Sequence, residues 1–336
     1  MPLLNQQNIF TSAEMTDAVN KLPRTAHRFA SMFENTGVRT TNINIELLHG
    51  RLTLISDSPR GSTPDYLGTK QPKREMKVLS ATHLAQADVL APEDIQDVRA
   101  FGSTELATPA QVVAQKLAAM KRNLDQTLEY HRLGAVKGKV MDPDGRVLHD
   151  IHATFGAAKK TQEINFNPAT ANKDNPVLTA LIAAKRKAEE GMAGNPYTRL
   201  EAIVGSNFYD MLTGNKLVRD AYNLWAANLA SFGDNDYRKR GFTYAGITFY
   251  EASEVVGGKK LVDDNKGHLF PLGSGIWRSY YAPADWMETA NTVGRAYYAR
   301  MDERPRSRGY DMEVQSNPLT LCLFPEALVE LTAKAV

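Results

Sequence analysis

TPAQVVAQKLAAMKRNLDQTLEYHRLG, residues 108–134, is the stretch that decides how the rest of the chain is read. Thr108 is an N-cap, Pro109 suits the first helical position, and Gln111 completes a capping box. Val113, Leu117, Met120, Leu124, Leu128 and His131 then recur at spacings of three and four, which puts them on one helical face. Lys116, Arg122, Asp125, Gln126 and Glu129 fall mostly off that stripe and are expected in solvent. Gly134 supplies a left-handed C-terminal residue, so the spacing predicts a helix of about 24 residues, roughly 36 Å long. Its five large apolar side chains would contribute about 8–15 kcal/mol gross on burial, before conformational entropy is subtracted.

Upstream, residues 1–35 read as an arm. Thr11 and Glu14 have capping-box spacing, and Met15, Val19 and Leu22 form a short stripe that Pro23 interrupts. A second short helix carries Phe29, Met32 and Phe33. Neither can bury much alone, so both must dock on something else. From Val38 the period becomes two: Ile43, Ile45 and Leu47 alternate with Asn42, Asn44 and Glu46, the pattern of a half-buried strand. Residues 57–74 contain three prolines, two glycines and no hydrophobic period. Such a length of polar chain suggests a functional projection. The expectation is a two-stranded arm, Thr53–Pro59 running out and Arg74–Ser80 running back, with Met76 and Val78 on one side. A lone ribbon is marginal in water, so it should lie on a neighbouring molecule. Arg60, Lys70, Lys73, Arg74 and Lys77 outnumber Asp57, Asp65 and Glu75 there and are the candidate interface residues.

Pro92–Phe101 reads as a short helix leading into the long one. Downstream, Asp142-Pro143-Asp144-Gly145 sits between two extended runs and predicts a hairpin. A helix from Pro176 to about Gly191, a buried strand Leu200–Val204, a helix from Ser206, a strand Phe242–Tyr250 and further short strands make residues 175–290 a mixed module. In the tail, Tyr310, Met312 and Val314 alternate with polar neighbours. Leu319–Phe324, apolar on both faces, reads as a central strand.

At 336 residues, 43% hydrophobic and 23% charged, the composition is that of a globular protein of about two domains. A formal net charge of +2 is too small to argue for nucleic acid through overall charge. The single cysteine, Cys322, allows no internal disulfide and, in an apolar run, reads as a buried thiol. No apolar run reaches the roughly 18 residues of a membrane span, and the N-terminus lacks a signal-peptide pattern, so a cytoplasmic site of synthesis is expected. Chemistry-bearing motifs are sparse. His149 and His152 in a strand would point to opposite faces and cannot share an ion. Leu272–Ile276 has glycines but no phosphate-loop spacing, and Asp263–Gly267 lacks the rest of a calcium loop. Arg295–Arg308 is arginine-rich, with Asp302 and Glu303 interspersed, and is either an anion-binding strip or a solvated linker. No catalytic, cofactor or metal residues are assigned.

Three segments carry a resemblance. Thr40–Glu46 with Gly50, Leu133–Lys139 through Asp144-Gly145, and above all Met312–Leu319 followed by Phe324-Pro325 are similar to the lambda-type major capsid protein family (phage capsid protein E) of tailed bacteriophages. The resemblance implies an α+β Hong Kong 97-type capsid fold. It would comprise an N-terminal arm (1–35), an extended loop (56–80), a peripheral domain (36–55, 81–174, 291–336) around the spine helix 108–134, and an axial α/β domain (175–290). It further implies a non-enzymatic protein without cofactor that assembles in the host cytoplasm, as hexamers and pentamers, into the icosahedral shell of a virion around double-stranded DNA. DNA contact would be non-specific. Neighbouring capsid subunits, scaffold, portal and a decoration protein would be its partners. An encapsulin-like compartment shell and a soluble enzyme are the alternatives; particle contents separate the first, a discrete monomer with a deep polar pocket the second.

Overall fold

The computed structural model describes residues 11–23, 28–48, 74–96, 108–167, 175–230, 241–252, 255–256 and 259–334. They form two compact units. The first is drawn from Met1–Asn44, Val78–His131 and Arg278–Thr320, the second from Ile45–Lys77, Arg132–Trp277 and Leu321–Val336.

In the first unit, helix α1 (Ser12–Lys21) has the expected capping box between Thr11 and Glu14. The box that opens the long helix α2 (Pro109–Val136) is also formed: the Thr108 N–H donates to Gln111 Oε1 at 2.9 Å and the Gln111 N–H to Thr108 Oγ1 at 3.3 Å. The stripe Val113, Leu117, Met120, Leu124 and Leu128 is buried as its spacing requires. It packs with Met15 and Val19 of α1 on Tyr297, Ala299, Met312 and Val314. The last three of these belong to an antiparallel sheet in the order Tyr298–Glu303, Tyr310–Ser316, Leu84–Leu90, which Tyr297 immediately precedes. The partner of the N-terminal helix is thus its own chain. Thr16 Oγ1 donates to Ala299 O at 3.2 Å and accepts from the Ala299 N–H at 3.1 Å, and Asn20 Nδ2 donates to Tyr297 O at 2.9 Å. A second sheet of this unit follows the order Glu34–Gly37, Trp277–Tyr281, Pro318–Cys322. The last strand is therefore an edge and not a central strand, although all five of its residues are buried.

Lys121 and Asp125 on α2 are buried, and the second departs from the solvent-facing expectation. Asp125 is buried and accepts a hydrogen bond from the Tyr297 hydroxyl. Lys121, also buried, donates to Leu22 O at 2.6 Å and Pro23 O at 3.3 Å, just past the C-terminal end of α1, with its ammonium 5.3 Å from the Tyr297 ring centroid. A cation there complements the negative end of the α1 dipole. Once α1 covers it, this side of α2 is core, and its polar groups are satisfied by docking rather than by water.

The helix also ends later than Gly134: α2 runs 28 residues, to Val136, and the left-handed residue is Gly138 at φ +78. Gly134 instead permits close approach, since a Cβ there would lie 2.9 Å from Val140 Cα. At Gly138 a Cβ would sit 2.2 Å from His152 Nε2. Gly138→Ala is therefore expected to destabilise by about 2 kcal/mol or more, from the left-handed backbone and the displaced imidazole together. Urea unfolding at neutral pH checks this.

In the second unit the predicted hairpin is present, Lys139–Met141 against Val147–Asp150. The reading of His149–His152 as one strand is corrected. Asp150 accepts from the Ala153 N–H at 3.0 Å and caps a short helix, α3 (Ile151–Phe155), so His152 is helical. A six-stranded mixed sheet follows the order Lys160–Asn165, Val329–Lys334, Lys266–Leu272, Arg199–Val204, Ile247–Glu251, Phe242–Tyr244. Its last two strands form a hairpin turning at Ala245 (φ +55) and Gly246 (φ +78), not the single strand expected. Helices α4 (Pro176–Gly191), α5 (Ser206–Gly214) and α6 (Lys216–Ala230) carry the residues that cover one face. Val177, Leu181 and Ala184 of α4, Phe208 and Leu212 of α5, and Val218 of α6 pack there with Leu200, Ala202, Val204, Phe249 and Leu331. The predicted helix Pro92–Phe101 is one 3-10 turn, Pro92–Asp94, in its described part; residues 97–101 lie outside the described residues.

Candidate assembly surfaces

The described partner of Arg74–Ser80 is the earlier extended segment, not the expected Thr53–Pro59. Strand Arg74–Ser80 pairs with Asn42–Leu48. Ser80 Oγ donates to Asn42 Oδ1 at 2.8 Å and the Ala81 N–H to Thr41 O at 2.8 Å, so the chain leaves along the first strand and returns along the second. Ile43 and Ile45 are buried, while Met76 and Val78 are 58% and 60% exposed. These two alternate along the returning strand and make an apolar side turned to water, which monomers rarely keep. Of the candidate interface residues, Arg74 opens the returning strand and Lys77 lies within it, half-buried. Arg60, Lys70 and Lys73, and the outgoing strand Thr53–Pro59, lie outside the described residues.

The arginine-rich strip is largely neutralised within the chain. Arg295 pairs with Asp17 at 2.5 Å, Arg300 with Asp302 at 2.8 Å and Glu288 at 3.9 Å, and Arg304 with Asp311 at 2.9 Å. Arg306 and Arg308, at the turn Pro305–Arg308, are exposed and have no partner among the described residues. Sequence reasoning missed a second exposed feature, Met287, which is 93% exposed between Asp285 and Glu288. A lone methionine in a polar loop carries no periodic signal that could have marked it.

A partly buried polar cluster lies in the second unit, around a cavity of about 10 Å³ lined by Lys137, His152, Lys159, His268, Val329 and Glu330 among others. Such a volume admits about one water molecule and no metabolite. Lys159 Nζ lies 2.5 Å from Glu330 Oε2, Lys266 Nζ lies 3.5 Å from Oε1, and Lys137 donates to Leu261 O. Burial, and then the neighbouring Lys137 charge, push the His268 pKa down to about 3. Burial also lowers those of His149 and His152. Cys322 is fully buried, which raises its thiol pKa to about 12 and makes it unreactive. Among the described residues no group of three or more His, Cys, Asp or Glu side chains could hold a metal ion, and no helix is long and apolar enough to cross a membrane.

A long helix packed on a β-sheet and a mixed sheet with helices over one face form the α+β architecture of the Hong Kong 97-type capsid fold. Residues 11–333 match the family described as phage major capsid protein E, and the chain belongs to that family. It is 26% identical to the major capsid protein of Salmonella phage Felix O1 and 25% identical to that of Pseudomonas phage KPP10, with 98% of both chains covered in each case. The capsid structure of Ralstonia phage GP4 is similar in fold, with a TM-score of 0.51 at 10% identity over 93% of this chain and 92% of that one.

Proposed function

We propose that this phage major capsid protein is the repeating unit of an icosahedral shell around double-stranded DNA, built of hexamers and pentamers and acting by binding its own copies rather than by catalysis. The observation that carries this is the match to the capsid family across residues 11–333, joined to a ribbon whose Met76 and Val78 are exposed among the described residues. On this reading the 56–80 loop is a clasp that lies across an adjacent subunit, and Arg60, Lys70, Lys73, Arg74 and Lys77 pair with acidic groups there. Residues 1–35 are the arm, 175–290 the axial domain, and 36–55, 81–174 and 291–336 the peripheral domain. Scaffold and portal proteins, and a decoration protein outside, are the further partners. A formal charge of +2 gives the chain little with which to condense DNA, which falls to the packaging motor; its own contact with the packaged DNA is non-specific.

The clasp separates folding from assembly. Exposed ion pairs are worth about 0–1 kcal/mol each and weaken in salt, but a shell repeats them many times. Deleting residues 60–73 and closing the gap with a short Gly-Ser turn is expected to leave the melting of the isolated chain nearly unchanged and to abolish or mis-size particles. Lys70→Glu with Lys73→Glu and Arg74→Glu should give a milder, salt-dependent defect. Particles of normal size from the deletion chain, seen by negative-stain microscopy, would refute the clasp.

A further inference from the structure

We infer that the arginine turn at Pro305–Arg308 of one copy docks on the Asp285–Glu288 loop of a second copy, head to tail. The inference rests on the shell reading above and adds to it a specific pair of surfaces.

The arginine turn joins strands Tyr298–Glu303 and Tyr310–Ser316 and is held in an unfavourable backbone. Arg306 has φ +64 and Ser307 φ +54, a left-handed pair without glycine. Such conformations persist only where the surroundings enforce them. Here the Arg304 N–H donates to Gly309 O at 2.9 Å, Ser307 Oγ donates to Glu303 Oε1 at 2.8 Å, and Arg304 is tied to Asp311. Glu303 and Asp311 thus help to shape the turn, and neither is paired with Arg306 or Arg308 among the described residues. Arg306 and Arg308 are left presented to solvent.

The acidic loop is equally well mounted. Trp286 is buried, meets Tyr298 edge-to-face with centroids 6.1 Å apart, and lies 6.0 Å beneath the Arg300 guanidinium. Thr289 Oγ1 donates to Ala284 O at 2.8 Å and to Trp286 O at 3.0 Å, which closes the loop. This anchoring holds Met287 out at 93% exposure, flanked by Asp285 and Glu288. Asp285 accepts one bond from Gln315 Nε2 at 2.6 Å, and an ionised carboxylate has lone pairs to spare. Among the described residues Glu288 makes only a long 3.9 Å contact with Arg300. A polarizable methionine between two carboxylates suits the aliphatic stem and charged head of an arginine.

The two surfaces cannot meet within one molecule. The acidic loop is anchored at Tyr298, where the strand Tyr298–Glu303 begins, and the arginine turn follows its end. At ~3.3 Å per residue they are roughly 17–25 Å apart. Two complementary surfaces at opposite ends of one rigid strand make a heterologous contact, the kind that closes rings of copies.

The test uses the full chain produced together with the other head proteins of its phage. Arg306→Glu with Arg308→Glu, and separately Asp285→Lys with Glu288→Lys, are each expected to lower particle yield about tenfold or more; the isolated arginine variant melts like wild type, and the acidic-loop variant somewhat lower because Gln315 loses an acceptor. Combining all four is expected to recover most of the yield, because the charges are exchanged rather than lost. Arg306→Gly with Arg308→Gln guards against misfolding. Glycine relieves the left-handed backbone, so this chain should melt no lower than wild type and still assemble poorly. Wild-type particle yield from either charge reversal, or no recovery in the fourfold variant, overturns the contact. If the wild-type chain itself formed no particles the shell reading would fail; normal particles from both wild type and the arginine variants would remove the contact alone.

Discussion

Leu124→Asp is expected to cost about 4–6 kcal/mol, comparable to the whole stability of many domains. Leu124 is 5% exposed in the middle of the α2 stripe. The substitution removes a buried leucine and leaves a carboxylate among Leu117, Met120, Leu128, Tyr297 and Val314, while the nearby buried Lys121 ammonium is already held by Leu22 O and Pro23 O. The neighbouring Asp125 already takes the Tyr297 hydroxyl, so the new charge would face a second acid as well as an apolar wall. Insoluble or protease-sensitive protein should result. Arg122→Asp on the exposed side is the control and should stay within about 0.5 kcal/mol of wild type. Unchanged melting of the Leu124→Asp chain would mean that the stripe is not core.

Acid should destabilise the second unit through His268. In the unfolded chain this imidazole titrates near its ordinary value of 6.5, whereas in the fold its pKa is about 3. The neutral form is the folded form, so the unfolded chain binds the extra proton. The stabilising contribution is complete above pH 6.5 and is lost as pH falls from 6.5 toward 3. At about 1.4 kcal/mol per pH unit the loss approaches 4–5 kcal/mol as an upper bound. His149 and His152, whose pKa values burial also lowers, act in the same direction. Denaturant melts at several pH values should therefore show falling stability through this window, and His268→Gln should flatten the slope. An unchanged slope in that variant would assign the acid response to other groups.

Much of the fold is legible in residues 108–134 and in the alternating segments, because a periodic pattern reports burial wherever one face meets one core. The stripe from Val113 to Leu128 is such a case. So are Ile43 and Ile45, and the pair Met76 and Val78. Where the sequence misled, burial came from a partner distant in the chain. Strand Leu84–Leu90 went unrecognised because Gln86 and Asp88 alternate with alanines and point no apolar face anywhere. It is a strand because Tyr310–Ser316 pairs with it along its whole length, while Asn123 of α2 takes Gln86 and Lys116 takes Asp88 at 3.1 Å. Lys160–Asn165 and Val329–Lys334 likewise pair with each other across more than 160 residues of chain.

The assembly surfaces divide in the same way. The polar, proline-punctuated stretch between Asn42–Leu48 and Arg74–Ser80 marks a projection without reference to any other residue, and the arginine-rich run at 295–308 is visible as composition. Which arginines remain available is a tertiary matter. Asp17, Asp302 and Asp311 claim three of them, and only the folded chain brings Asp17 to Arg295. Local order determined the long capped helices, the Asp142–Gly145 hairpin and the family resemblance, since propensity, capping and period act over a few residues. The tertiary structure decided which charges are buried, where strands find partners, and which exposed groups are left to meet another copy. Desolvation and pairing depend on contacts that no stretch of sequence contains.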